Sequence, residues 1–243
     1  ISIYAKDFKV ASYNVENLFD LHYDGTEYKE YIPNKISLWN HKNYSIKLKN
    51  ISKVINKLDA DIIALQEVES LKALKDLLTY TNKYKYYSFV KNDRSAIGLA
   101  ILSKYHILET QELKIDTRNK YSRPIQKIYV KIENKQIIIY NSHWPSKRAA
   151  ENERIEYALT LKEHLDQQVK SDYILLGDFN SNYNEFNTFK NDKKLNNTYG
   201  ITGINQVLNT SILKKYITKQ HYTQVIQIIY KNKQKYKQQL YKI

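Results

Sequence analysis

The 243 residues include no cysteine, five glycines and three prolines, with 42% apolar and 13% aromatic residues. That composition suits a globular chain with a sizeable core and excludes a disulfide framework, a thiolate metal site, a cysteine nucleophile and a glycine-rich phosphate loop; no apolar run approaches the ~20 residues that span a bilayer. The formal charge of +14 sits at one end: ten of the 39 basic residues follow Asp192 and no acid does, so residues 1–192 hold 29 bases against all 25 acids, and the overall charge is weak evidence for a nucleic-acid partner.

The chain opens on ISIYAKDF. An apolar stretch ending at Ala5 before Lys6 has the form of a secretory signal peptide around its cleavage site. Residues 1–5 therefore read as a leader remnant, and the protein as secreted or periplasmic. FKVASYNVENLF begins with alternating apolar residues and predicts a strand running into Asn14, Glu16 and Asn17. Residues 20–43 show no period and read as a loop. Ile46, Ile51, Val54, Ile55 and Leu58 recur at helical spacing and predict an amphipathic helix over 44–58. DADIIALQEV predicts a short buried strand ending at Gln66 and Glu67, and LKALKDLL a second helix. KYYSFV and LAILS are strands, the second just after Gly98. PIQKIYVKIENKQIIIYNS reads as a hairpin turning at 133–135 and running into His143, Trp144 and Pro145. A long helix is expected over 148–169, with Ile155, Ala158, Leu159 and Leu165 inward. DYILLGDFN then predicts a strand that breaks at Gly177. The hairpin and the 172–177 strand are apolar on both faces and should be central. VIQIIY has strand character, and the Lys/Gln/Tyr stretch after it has no period and is expected not to pack.

Helices set between strands, with one hairpin, argue for an α/β protein with a mixed sheet. One domain is expected over residues 6–200, followed by a divergent basic tail over 201–243.

Four apolar strands end in polar clusters: Asn14 with Glu16, Gln66 with Glu67, Asn141 with His143, and Asp178 with Asn180. Ligands of α/β proteins sit beyond strand ends, where side chains leave the core on fixed backbones. Glu67 is a hard oxygen donor suited to magnesium. Asp178 and Asn180 are two apart, so an extended backbone would point both to one side. His143 can move a proton near neutral pH. Together these groups suit metal-assisted hydrolysis of a phosphate ester. Each also has an ordinary reading. A carboxylate at a strand end is often a turn former or helix cap, a lone histidine before Trp-Pro is often structural, and GDFN can be a simple turn. Lys147 and Arg148 can be a solvated helix start or phosphate contacts.

YNVEN, LQEV, AILSKY, NSHWPSK and LLGDFN, in that order, resemble the endonuclease/exonuclease/phosphatase superfamily over about residues 8–187. The resemblance implies a four-layer sandwich of two mixed sheets flanked by helices, and divalent-metal cleavage of phosphodiesters or phosphomonoesters with magnesium or manganese. It places Glu67 and Asn14 at the metal and His143, Asp178 and Asn180 in catalysis. Glu16 stands where the repair enzymes of the superfamily carry Asp. Lys147 and Arg148 become candidates for substrate contact. NSHWPSK with GDFNSN resembles the bacterial nuclease-like members, so a monomeric deoxyribonuclease acting on DNA is the first expectation. A phosphodiesterase or phosphatase on lipid or inositol-phosphate head groups is the second, and an inactive nucleic-acid-binding remnant the third.

The departure is at the C-terminus. Members of the superfamily end in a late-strand Asp and then Ser-Asp-His. Here no acid follows Asp192, and the one late histidine, His221, follows Gln220. A disrupted end is expected, with impaired activity and a sheet edge left bare.

Overall fold

Two stretches of the chain repeat one plan: a strand, a helix, and a second strand parallel to the first. The first is β1 (Val10–Leu18), α1 (His41–Leu58) and β2 (Ile62–Val68); the second is β7 (Lys135–His143), α3 (Glu151–Asp166) and β8 (Asp172–Asp178). A parallel pair needs such a crossover, because a tight turn cannot return the chain to the same end. The computed structural model describes residues 8–33, 37–168, 171–182 and 185–208, and two further strands at 214–217 and 227–231.

Local chemistry sets the helix limits. The Asn40 side chain accepts the N–H groups of Lys42 and Asn43 at 3.0 and 3.1 Å, so α1 begins earlier than its apolar period suggests. It stops at Asp59, which is left-handed with φ 44°. The Ser70 hydroxyl caps α2 (Leu71–Leu78) on Ala73 N–H at 2.9 Å.

The strands form two mixed sheets. One has the order β1-β2-β4-β3, with β3 at Tyr86–Val90 and β4 at Gly98–Ser103. The other has the order β5-β6-β7-β8-β10-β9, with β5 at Ile107–Leu113, β6 at Ile125–Ile132, β9 at Lys214–Ile217 and β10 at Gln227–Lys231. Their inner faces meet in an aliphatic layer that includes Ile62, Ala64, Ile101, Ile128, Ile139 and Ile174. The outer face of the first sheet packs on α1 and α2 through Ile63, Leu65, Ile55 and Leu74. The outer face of the second packs on α3 through Tyr140, Leu175, Tyr157 and Leu161. The result is the expected four-layer sandwich, and alternation along each strand assigns one set of side chains to each layer.

Several expectations need correction. Ile46 is exposed, because the buried stripe of α1 runs through Tyr44, Leu48, Ile51, Ile55 and Leu58. Leu159 is also exposed, and Ile155 is only half-buried. The inward face of α3 is rotated toward Glu151, Arg154, Tyr157 and Leu161, where an ion pair and the Trp144 ring fix the phase. β5 has no apolar period to announce it; it is an edge strand exposed at Glu109 and Glu112. The expected bare edge does not occur at β8. β10 pairs with it, Ile229 opposite Leu175, so the sheet extends past residue 200. β10 realises the strand character of VIQIIY. His221, residues 1–5 and the stretch after Lys231 lie outside the described residues. Among the described residues no helix is long and apolar enough to cross a membrane.

Candidate active site

Both parallel pairs point their carboxyl ends at the same end of the inter-sheet layer. Along β1 the inward positions run Val10, Ser12, Asn14; along β2, Ile62, Ala64, Gln66; along β7, Ile137, Ile139, Asn141, His143; along β8, Ile174, Leu176, Asp178. Each series passes from apolar to polar. His143 and Asp178 are register partners, as are Asn14 and Gln66.

Glu67 breaks the alternation. As the neighbour of inward Gln66 it should face the helices. Its backbone is left-handed at φ 67°, and the β2–β4 register shifts between Gln66 and Val68. This bulge turns the carboxylate back toward the cleft. β1 is irregular at the same level, with Glu16 at φ 54° and Asn17 at φ 64°. Positive φ at such residues costs energy and clusters at functional sites. Gly177, with φ 141°, has a different cause: an added Cβ would lie 2.1 Å from the Ser142 carbonyl oxygen. The close approach of β8 to β7 therefore requires glycine.

The structure brings Asn14, Glu67, His143 and Asp178 together. The Asn14 amide nitrogen donates to Glu67 Oε1 at 2.8 Å and to Asp178 Oδ2 at 3.2 Å. His143 Nε2 stands 3.6 Å from Glu67 Oε1 and 3.9 Å from Asp178 Oδ2, too far for hydrogen bonds. The Asn14 oxygen accepts the Glu16 N–H at 3.0 Å, while its nitrogen ties the two carboxylates together.

Asn180 is left-handed at φ 47°, not extended as its spacing from Asp178 suggests. Its N–H donates to Asp178 Oδ1 at 3.0 Å and its side chain to the Trp144 carbonyl at 3.0 Å. Asn180 thus fixes the orientation of Asp178. Lys147 pairs with buried Glu185 at 2.9 Å, whereas exposed Arg148 lines the cleft. Gln66 and Asn141 lie one layer below the cleft, joined at 2.7 Å, with Asn141 also bonded to Gln126 at 3.1 Å. This satisfied network bridges the sheets and forms the floor of the site.

Arg123 was not evident from the sequence. Its guanidinium donates to the carbonyls of His143 and Trp144, each at 3.0 Å, and it lines the cleft. The sequence signal for it is the Arg123-Pro124 step just before β6. Arg154, also missed, is fully buried. It pairs with Glu151 at 2.7 Å and donates to the carbonyls of Pro145, Ser146 and Ala149, shaping the loop that follows His143.

Charge follows burial. His143 is enclosed, and burial, then the Arg123 guanidinium, hold its pKa well below the usual histidine range. It is neutral at pH 7 and can accept a proton. Burial pushes the Asp178 pKa up, and the Glu67 charge adds to that; the Asn180 and Asn14 hydrogen bonds oppose it. Two carboxylates sharing one amide donor, one strained upward in pKa, form a hard-oxygen pair whose repulsion a divalent cation would offset. The donor chemistry fits magnesium or manganese. The cleft beside them encloses about 660 Å³, with Tyr28, Lys29, Arg123 and Arg148 among its walls.

Comparison with known proteins identifies the family and the fold. A sequence profile of the endonuclease/exonuclease/phosphatase family matches residues 9–239, so the chain belongs to that family. No curated protein matches it. Among solved structures, an endonuclease/exonuclease/phosphatase family protein from Bacteroides thetaiotaomicron superimposes with a TM-score of 0.63 at 17% identity, covering 93% of this chain and 82% of that one. A mannosyl-6-phosphatase from the same organism gives 0.61 at 16% identity, over 92% and 85%. TDP2 from Caenorhabditis elegans gives 0.53 at 19% identity, covering 74% of this chain; the match spans about half of that protein, 49%. At these identities the likeness is one of fold.

Proposed function

We propose that this member of the family is a divalent-metal-dependent phosphodiester hydrolase acting on nucleic acid, with DNA favoured, and that it works as a secreted or periplasmic monomer. One observation carries the reading: Glu67 and Asp178, from different sheets, share the Asn14 amide beside neutral His143, at the mouth of a cleft walled by Arg123 and Arg148. Glu67 and Asp178 would hold the cation, which when bound supplies charge neutralisation at a phosphoryl oxygen. His143 Nε2 takes a proton from the attacking water. Asn14 and Asn180 keep the two carboxylates in place, and Arg123 and Arg148 meet the phosphate.

His143 is the imidazole that lines the cleft among the described residues. Proton transfer in this cleft therefore rests on His143, and a general acid–base contributes about 10²–10⁴-fold. The phosphomonoesterase reading draws on the mannosyl-6-phosphatase likeness, which rests on fold alone. Incubation with plasmid DNA and with mannose 6-phosphate, each with magnesium or EDTA, separates the readings. Magnesium-dependent nicking that disappears in Glu67→Gln supports the diesterase. Release of phosphate from the sugar alone, with intact plasmid, overturns it.

A further inference from the structure

Past Arg123 and Tyr28 the cleft opens into a second hollow of about 560 Å³, and those two residues line both spaces. Three loops build it: 25–28, 93–96 after β3, and 120–123 before β6. The last two are tied together. Asn92 donates to the carbonyls of Lys120 and Ser122 at 3.1 and 2.8 Å. Glu27 holds its own loop by accepting the N–H groups of Asp24 and Gly25 at 2.6 and 2.9 Å. Arg123 ties the floor to the strand that carries His143.

The lining chemistry is unusual for an idle surface. The Arg94 side chain is exposed and has no hydrogen bond or ion pair among the described residues. Tyr121 is 56% exposed, with Lys120 Nζ 5.2 Å from its ring centroid. Tyr28, on the shared wall, is 39% exposed. Two cations beside exposed rings in a concave, pre-built space match the chemistry of an unpaired nucleotide: the base has a π-face and the backbone a phosphate. Asp93 is the one acid on this wall, so anions are not excluded.

We propose that this hollow is a second nucleotide subsite, in which an unpaired base stacks on Tyr121 while Arg94 and Lys120 meet the phosphate next to the scissile one. The inference rests on the phosphodiesterase reading and makes single-stranded nucleic acid the preferred substrate. A duplex keeps its bases stacked inside and must first give one up.

The test compares wild type with Arg94→Gln/Tyr121→Ala on two substrates with magnesium: a short single-stranded DNA oligonucleotide, and bis(p-nitrophenyl) phosphate, which cannot reach from the cleft into the hollow. For the oligonucleotide, kcat/KM should fall about 10- to 100-fold, mostly through KM. The small diester should change less than about twofold, a small fraction of that stacking effect, and wild type should cleave single strands faster than the matching duplex. Equal losses on both substrates, or no loss on the oligonucleotide, overturn the subsite. If wild type cleaves neither substrate, the phosphodiesterase reading has failed, and fluorescence anisotropy with the same oligonucleotide decides the subsite alone. Binding weakened in the double variant supports it; equal binding overturns it.

Discussion

The layer between the two sheets has two ends made by the same strands. At one end β2, β7 and β8 contribute Ile62, Ile137 and Ile174, all nearly inaccessible to water. At the other, the continuations of those strands and of β1 present Glu67, His143, Asp178 and Asn14. Between them, Ser12, Gln66, Asn141 and Gln126 form a hydrogen-bonded floor. The difference teaches how a carboxylate pair is kept close. The aliphatic end fixes the strands, and the polar end inherits their rigidity while bearing left-handed backbone and buried charge.

If that division holds, substitutions at the two ends should move different quantities. Asp178→Asn should have the largest effect, lowering phosphodiester cleavage by about 10²-fold or more, as loss of a buried charged group at a reacting centre does. The same variant should be more stable than wild type in EDTA at pH 7. The folded Asp178 pKa is raised, so protonated Asp178 favours folding below about pH 3.9. That contribution is lost as pH rises through the folded pKa, and at pH 7 the buried charge is a burden that asparagine lacks. A melting temperature in EDTA below that of wild type would contradict this.

Arg154→Leu comes next. It leaves Glu151 buried without its partner and frees three loop carbonyls, so urea unfolding should show a loss of about 3–5 kcal/mol. Ile139→Ala, at the aliphatic end, should cost about 2–5 kcal/mol while cleavage per folded molecule stays near wild type. A drop in cleavage matching that of Asp178→Asn, in a sample shown to be folded, would erase the division between the ends. Leu159→Lys should be nearly silent, within about 0.5 kcal/mol, because that side chain lies outside the packed face of α3.

The aliphatic end was legible in the sequence because runs such as IIIY and YILL can lie only in a covered strand. Glu67, His143 and Asp178 were legible as strand-end polar residues, since a polar group closing an apolar strand has few places to go. Three features were not. The bulge that turns Glu67 inward has no glycine to mark it. The donor role of Asn14 depends on Glu16 N–H capturing its oxygen. The phase of α3 is set by the buried Arg154–Glu151 pair, which an apolar period does not register. β5 was hidden because an exposed edge strand needs no apolar period.

The central claim is that Glu67 and Asp178 form one cation site across the two sheets. Titrating magnesium into the purified chain while recording its melting temperature tests this without relying on turnover. Wild type should melt at progressively higher temperature as magnesium rises, by the linkage between binding and folding, and Glu67→Gln and Asp178→Asn should each lose most of that shift. An undiminished shift in the Glu67→Gln/Asp178→Asn double variant, or no shift in wild type, would contradict the account.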